Sequence, residues 1–240
     1  MVRSRRFGAA AAVAAFLALL GLAAVQAQQL DSSTVIPAVD AAVKSRFDQV
    51  ASYTVTEHYA VYRGGYTTHP AAEMTVRTDY RKPTGKSYTI VAQSGSSIIR
   101  KLVLGAILDR EKEINLPGYR EGSWLTSANY EMKLKPGGAQ PLDGRECLAL
   151  AISPRRKAPN LIEGTVWVDA KDGSIVGIEG TASQSPSVFS GPAQVARQYA
   201  NVSGFAMATH ARAVSDSFLF GRTTILIDYR DYQIQLLPAK

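Results

Sequence analysis

The sequence predicts an α+β protein built on antiparallel strands, and three observations carry that expectation. Helical periodicity is confined to two stretches, 34–50 and 96–113. Period-two alternation of apolar and polar residues fills most of the remaining chain. The alternating runs are joined by short Gly- and Pro-bearing turns, with no length for crossover helices, which argues against parallel βαβ units.

The first residues stand outside this domain. Arg3, Arg5 and Arg6 form a basic flank, and an Ala/Leu-rich run extends from Phe7 to about Val25. Val25-Gln26-Ala27 then offers small residues where a signal peptidase reads, so 1–27 is expected to be a signal peptide and 28–240 one mature domain. No cysteine sits near that point to carry a lipid, so a soluble, periplasmic mature form that does not span the membrane is expected. The lone Cys147 excludes an internal disulfide, leaving the core to hold the fold. The chain has 27 Lys plus Arg against 20 Asp plus Glu, and setting aside the three leading arginines leaves 24. That balance is mildly basic, without the aromatic-interleaved basic block of a nucleic-acid binder.

The first helix is expected to start at Thr34, with Pro37 tolerated in the first turn, where its missing N–H is no loss. Val35, Ile36, Val39, Val43, Phe47 and Val50 share one face. From Ser52 the period becomes two: Tyr53, Val55, Tyr59 and Val61 alternate with Thr54, Thr56, His58 and Ala60 until Gly64-Gly65. Met74, Val76 and Tyr80 repeat the pattern, and Pro83-Thr84-Gly85 turns the chain into Tyr88-Thr89-Ile90-Val91.

In the second helical stretch Ile98, Ile99, Leu102, Val103 and Ala106 form the face expected to dock on the protein. Leu104 and Leu108 fall on the opposite side, so either the irregular segment 115–128 folds over them or they meet ligand when this helix moves as a lid. Seven further strands are expected, over 130–135, 145–153, 161–169, 174–183, 194–202, 204–214 and 222–234. Asp172-Gly173 between two of them is a strong hairpin signal.

No motif for catalysis emerges. Pro83-Thr84-Gly85-Lys86-Ser87 ends like a phosphate loop, but its first glycine position is Tyr80 and a strand follows. Asp169-Ala170-Lys171-Asp172-Gly173 imitates a calcium loop whose closing carboxylate would be Gly180. His58, His69 and His210 have no local metal-ligand spacing, there is no Gly-x-Ser-x-Gly elbow, and Cys147 in an apolar strand reads as a small core residue. No cofactor is called for. Arg155-Arg156-Lys157 makes a basic loop tip, suited to solvent or to anionic head groups.

The stretch 161–180, with Val166-Trp167-Val168-Asp169, the turn Lys171-Asp172-Gly173 and the return Ile175-Val176-Gly177-Ile178-Glu179, resembles the outer-membrane lipoprotein carrier and sorting family. Leu142-Asp143-Gly144-Arg145-Glu146-Cys147, and Phe218-Leu219-Phe220-Gly221 followed by Ile225-Leu226-Ile227-Asp228-Tyr229, resemble further strands of that family, whose superfamily also holds an envelope-stress sensor. The resemblance implies an open, strongly curved antiparallel sheet, a half-barrel, with helices covering its concave face. It also implies a non-enzymatic carrier that holds lipoprotein acyl chains or lipid in the hollow, with an envelope membrane protein as a possible further partner. A sensor of the same fold and an envelope hydrolase with an unrecognised site are the alternatives. Alternation nominates the hollow's apolar wall: Tyr53, Val55, Tyr59, Met74, Val76, Tyr80, Tyr88 and Ile90, then Leu150, Val166, Ile178, Phe205 and Met207, with Leu104 and Leu108 for the lid.

The leader segment gives the first test. An intact mass of the protein from the soluble envelope fraction is expected to begin at Gln28; a mass retaining 1–27, in the membrane pellet, contradicts cleavage.

Overall fold

The apolar faces anticipated from alternation all belong to one sheet. The computed structural model describes residues 31, 33–65, 67–185, 191–217 and 221–238, so the expected leader 1–27 and Phe218-Leu219-Phe220 lie outside the described residues. The strands are β1 (Val50–Arg63), β2 (Ala72–Arg81), β3 (Gly85–Gly95), β4 (Tyr130–Leu134), β5 (Gln140–Leu142), β6 (Arg145–Pro154), β7 (Ile162–Asp169), β8 (Ile175–Ala182), β9 (Gln194–Val202), β10 (Phe205–Ser217) and β11 (Gly221–Leu236). They form an 11-stranded sheet in the order β3-β2-β1-β11-β10-β9-β8-β7-β6-β4, with β5 paired to β6 off this path. Pairing is antiparallel throughout, and β3 and β4 stand at the two ends, so the sheet is open. The short β5 is absent from the sequence-based reading because Gln140-Pro141-Leu142 is too brief to show a period.

Most neighbours are consecutive hairpins; the long-range join is β1 with β11, from Val50↔Leu236 to Arg63↔Thr223. It brings the two ends of the described domain into one ladder. The Asp172-Gly173 turn connects β7 to β8, with Gly173 at φ +73, a conformation costly for residues with a Cβ. A Cβ there would also lie 2.7 Å from Ala38 C and Val39 N, so only glycine lets the hairpin tip touch the next helix.

That helix, α1 (Val35–Gln49), buries Val35, Val39 and Val43 against the inner faces of β4 and β6–β8, among Met132, Leu150, Val166 and Ile178. Its start departs from a simple threonine cap. The Asp31 carboxylate accepts the Ser33 and Thr34 backbone N–H groups at 2.9 and 3.0 Å, and Thr34 Oγ1 accepts the Asp31 N–H at 3.0 Å. The hydroxyls and N–H groups of Ser33 and Thr34 hold the Asp31 carboxyl down at about 2.

The second helical stretch corrects the sequence reading. It runs as α2 (Ser97–Ile99), a π-helical stretch (Arg100–Gly105) and α3 (Ala106–Ile114). Its buried side chains are Ile99, Leu104 and Leu108, spaced by five and then four residues, the spacing of one π turn followed by one α turn. Of the face assigned at 3.6 residues per turn, Ile99 is buried and Val103 packs on the same cluster, but the extra residue turns Ile98 and Leu102 outward, 62% and 54% exposed, and brings Leu104 in at 0%. Leu104 and Leu108 pack on Tyr59, Val61, Ala72, Met74 and Val76 of β1 and β2. They anchor the helix on the sheet, contrary to the expectation that they lie on its outer side, under 115–128 or free as a lid.

Cys147 is buried, with its thiol pushed up by burial and with Asp169 adding to the shift. Its Sγ lies 3.5 Å from the Arg145 carbonyl oxygen. The irregular 115–128 segment is held by Arg155 Nε donating to Ser127 O at 2.9 Å and Arg156 Nη2 donating to Gly122 O at 2.6 Å, so two residues of the basic loop tip serve the fold.

The π-shifted face makes a stability prediction. Leu104→Ala is expected to cost about 2–5 kcal/mol by denaturant unfolding, and Ile98→Ala to stay within about 0.5 kcal/mol. Equal losses, or the reverse order, contradict the rotated face.

Candidate functional site

The two helical layers cover different parts of the sheet. α1 packs on the half from β4 to β8, and the α2–α3 stretch packs on β1 and β2. Over the central strands lies a cavity of about 930 Å³, near the upper end of the ~300–1,000 Å³ usual for small-molecule sites. Strands β1 and β8–β11 supply Tyr53, Tyr59, Ile178, Val195, Tyr199, Ala211, Ala213, Ile225 and Ile227. The helical side supplies Ala42, Val43 and Phe47 of α1, Leu102 and Val103 of the π stretch, and Ala106 and Ile107 of α3. The lining is predominantly aliphatic and aromatic, with small alanines on β10 widening the space.

The wall residues nominated from the sequence divide accordingly. Tyr53, Tyr59, Ile178 and Phe205 line the cavity. Val55, Met74, Val76, Tyr80, Leu150, Val166 and Met207 are buried in core clusters and do not line it. Their faces are covered by helices or packed on each other: Tyr53 and Tyr80, for example, stack with centroids 4.9 Å apart. Tyr88 is half-buried beside the α3 cluster, with Lys112 Nζ 5.8 Å from its ring, and Ile90 is 51% exposed at the sheet edge.

Sequence reasoning missed the charges on this face. The inward run of β1 reads Tyr53, Val55, Glu57, Tyr59, Val61, and Glu57 is 2% exposed. The Tyr59 hydroxyl donates to Glu57 Oε2, satisfying a buried carboxylate from the same strand face. Burial, with Glu57 next, pushes the Tyr59 phenol far up, so it stays a neutral donor.

Lys86 of β3 and Glu111 of α3 make a second charged element, Nζ donating to Oε2 at 2.8 Å, and both line the cavity. Asn115 Nδ2 donates to the Glu111 backbone oxygen at 2.8 Å and to Oε2 at 3.4 Å. Burial alone would raise the Glu111 carboxyl, but Lys86 and Arg197 outweigh it and hold it down. Burial would likewise lower Lys86, and Glu111 reverses that, holding it well up. Helix and sheet edge are thereby tied by one ion pair.

Arg197 is the third. It rises from β9 between Ala211 of β10 and Ile178 of β8 and lines the cavity. Tyr199 favours its charged form strongly enough to outweigh burial, and Tyr229 and Glu111 add to this. The signal for these residues was present: Glu57 and Arg197 each occupy an inward position within an apolar alternation.

Catalytic groupings are a separate matter. Among the described residues no three His, Cys, Asp or Glu side chains gather as a metal site. His58 pairs with Thr75 at 3.1 Å and His210 with Asp228 at 2.8 Å, each across neighbouring strands and away from the cavity lining. Among the described residues no helix is long and apolar enough to cross a membrane.

No protein-family model and no curated protein matches this chain. Among solved structures it is similar to a LolA superfamily protein from Nitrosomonas europaea, at 10% identity and TM-score 0.45, covering 87% of this chain and 96% of that one. A DUF1329 family protein from Desulfovibrio piger shares 13% identity at TM-score 0.42, covering 84% and 93%. An outer membrane lipoprotein-sorting protein domain from Vibrio parahaemolyticus shares 14% at TM-score 0.43, covering 80% and 88%. The first and third carry names of the family that the sequence resembles.

The Lys86–Glu111 pair sets a pH prediction. A depressed carboxyl contributes stability that is present above its unfolded value, about 4.3, and lost as pH falls through the folded one. A raised lysine contributes below about 10.4 and loses its share as pH rises through its folded value. Glu111→Gln strands Lys86 and is expected to cost about 3–5 kcal/mol at neutral pH. Thermal melts should show the gap to wild type holding down to about pH 4.3 and closing in stronger acid. A gap independent of pH contradicts the ion pair.

Proposed function

We propose that this protein is a non-enzymatic periplasmic carrier that holds apolar chains, those of lipoproteins or of lipid, inside its cavity. The observation that carries the reading is the 930 Å³ space between helices and central strands, lined mainly by aliphatic and aromatic side chains. A closed core of this chemistry packs at about 0.75 of its volume and leaves few voids larger than a water. Space of this size against apolar side chains suits a flexible hydrocarbon, whose burial is worth about 0.8 kcal/mol per methylene.

In this reading the sheet is a half-barrel and the helices cover its concave face, with α1 as the fixed part. The movable part is α3, whose Ala106 and Ile107 meet the chain while the Lys86–Glu111 pair holds it closed. Leu104 and Leu108 remain on the sheet as the pivot. The leader segment 1–27 directs the chain to the periplasm, and residues 28–240 act as one domain.

Two measurements test this. Protein purified from the envelope without detergent is extracted with organic solvent, and mass spectrometry is expected to find acyl lipids in near-stoichiometric amount. An apolar fluorophore bound in the cavity is expected to be displaced by long-chain lipids, and Ile227→Glu to weaken its binding about tenfold or more with the fold retained. An empty extract together with a fluorophore that does not bind contradicts the proposal.

A further inference from the structure

Arg197 is a cation without a counter-ion. Among the described residues no carboxylate lies within ion-pair distance of it. Its Nε is buried and has no hydrogen-bond partner. Glu111, the acid that favours its charge, already accepts Lys86 at 2.8 Å and Asn115 at 3.4 Å. Glu57, the other buried carboxylate on this face, accepts the Tyr59 hydroxyl. The cross-strand neighbours of Arg197 are Ala211 and Ile178, one too small to cover the guanidinium and neither able to bond with it.

A half-buried guanidinium with a buried, unpaired Nε and no paired anion carries a desolvation cost that a ligand anion relieves. The position matters as much as the charge. β9 is sixth of the ten strands along the sheet path, so Arg197 stands in its middle, with apolar walls on either side. We infer that the cavity takes a single-chain carboxylate, a free fatty acid, with its head group drawn inside against Arg197 and its chain along the apolar wall. This rests on the chain-binding reading above and narrows it to a ligand class. A phosphate head fits less well beside Arg197, because Lys86 is engaged and Glu111 would repel the second negative charge. The Tyr199 side chain hydrogen-bonds with Arg197, and Tyr229, kept neutral by burial, lines the same cavity; neither supplies the guanidinium with a charge partner.

The test compares hexadecanoate, hexadecanol and hexadecyl phosphate on the full-length mature protein by calorimetry. Wild type is expected to bind the acid roughly 10- to 100-fold tighter than the alcohol, the worth of one or two charge-assisted hydrogen bonds, and tighter than the phosphate. Arg197→Met is expected to bind acid and alcohol with equal affinity, abolishing the preference. Equal binding of acid and alcohol by wild type, a preference that survives in Arg197→Met, or tightest binding of the phosphate overturns the assignment but leaves the chain-binding reading standing. If wild type binds none of the three, both fall together. Should the variant not fold, carboxyl-labelled hexadecanoate bound to wild type gives an independent answer by NMR titration. Its carboxyl is expected to titrate well below a free fatty acid's; an ordinary value places the head group in solvent and overturns the inference.

Discussion

The pairing of β1 with β11 is the contact on which the rest depends. Without it the β1–β3 meander and the β6–β11 meander would be two sheets, each with an unpaired edge exposing backbone N–H and C=O groups. With it, Tyr59↔Ile227 and Val61↔Ile225 place aromatic and aliphatic side chains from opposite ends of the described domain on one surface. That surface is too wide for one helix to cover. α1 takes one half and the α2–α3 stretch takes the other, and the cavity lies over the strands between them.

The central strands also explain why polar groups collect there. The central strands face the cavity where the flanking strands face packed helix, and there they carry Arg197, Tyr199 and Tyr229 beside Val195, Ile225 and Ile227. Closer to β3, Lys86 and Glu111 join a helix to the sheet edge through charge, whereas Leu104 and Leu108 join the same helical stretch through apolar burial. The same helical stretch is therefore attached in two ways, one by charge and one by apolar burial.

Much of the architecture was legible in the sequence because its signals are local. Alternation located ten of the eleven strands to within a few residues, and Asp172-Gly173 marked its turn. The rotated helix was not legible, because a π turn changes the period on which face assignment depends, and Ile98 and Leu102 satisfy a 3.6 spacing as well as any buried pair. The cavity was only partly legible. Alternation reports which residues face inward, and it assigns Tyr53 and Val55 alike; which of them meets open space depends on where the helices lie, and that is tertiary information. Arg197 and Glu57 were visible as charges at inward positions, yet an inward charge has meaning only once its surroundings are known, and for Arg197 those are a cavity that tertiary packing creates.

The central claim is that an acyl chain lies over the middle of the sheet and not elsewhere on the molecule. A spin-labelled fatty acid added to methyl-labelled protein tests it most directly, by the paramagnetic broadening it produces. The account predicts strong broadening of the Ile178, Val195, Ile225 and Ile227 methyls, which line the cavity, with the Leu148 and Val168 methyls of the α1-covered core spared. Broadening confined to the exposed Ile90 and Val91 at the sheet edge, or none at all, would contradict it.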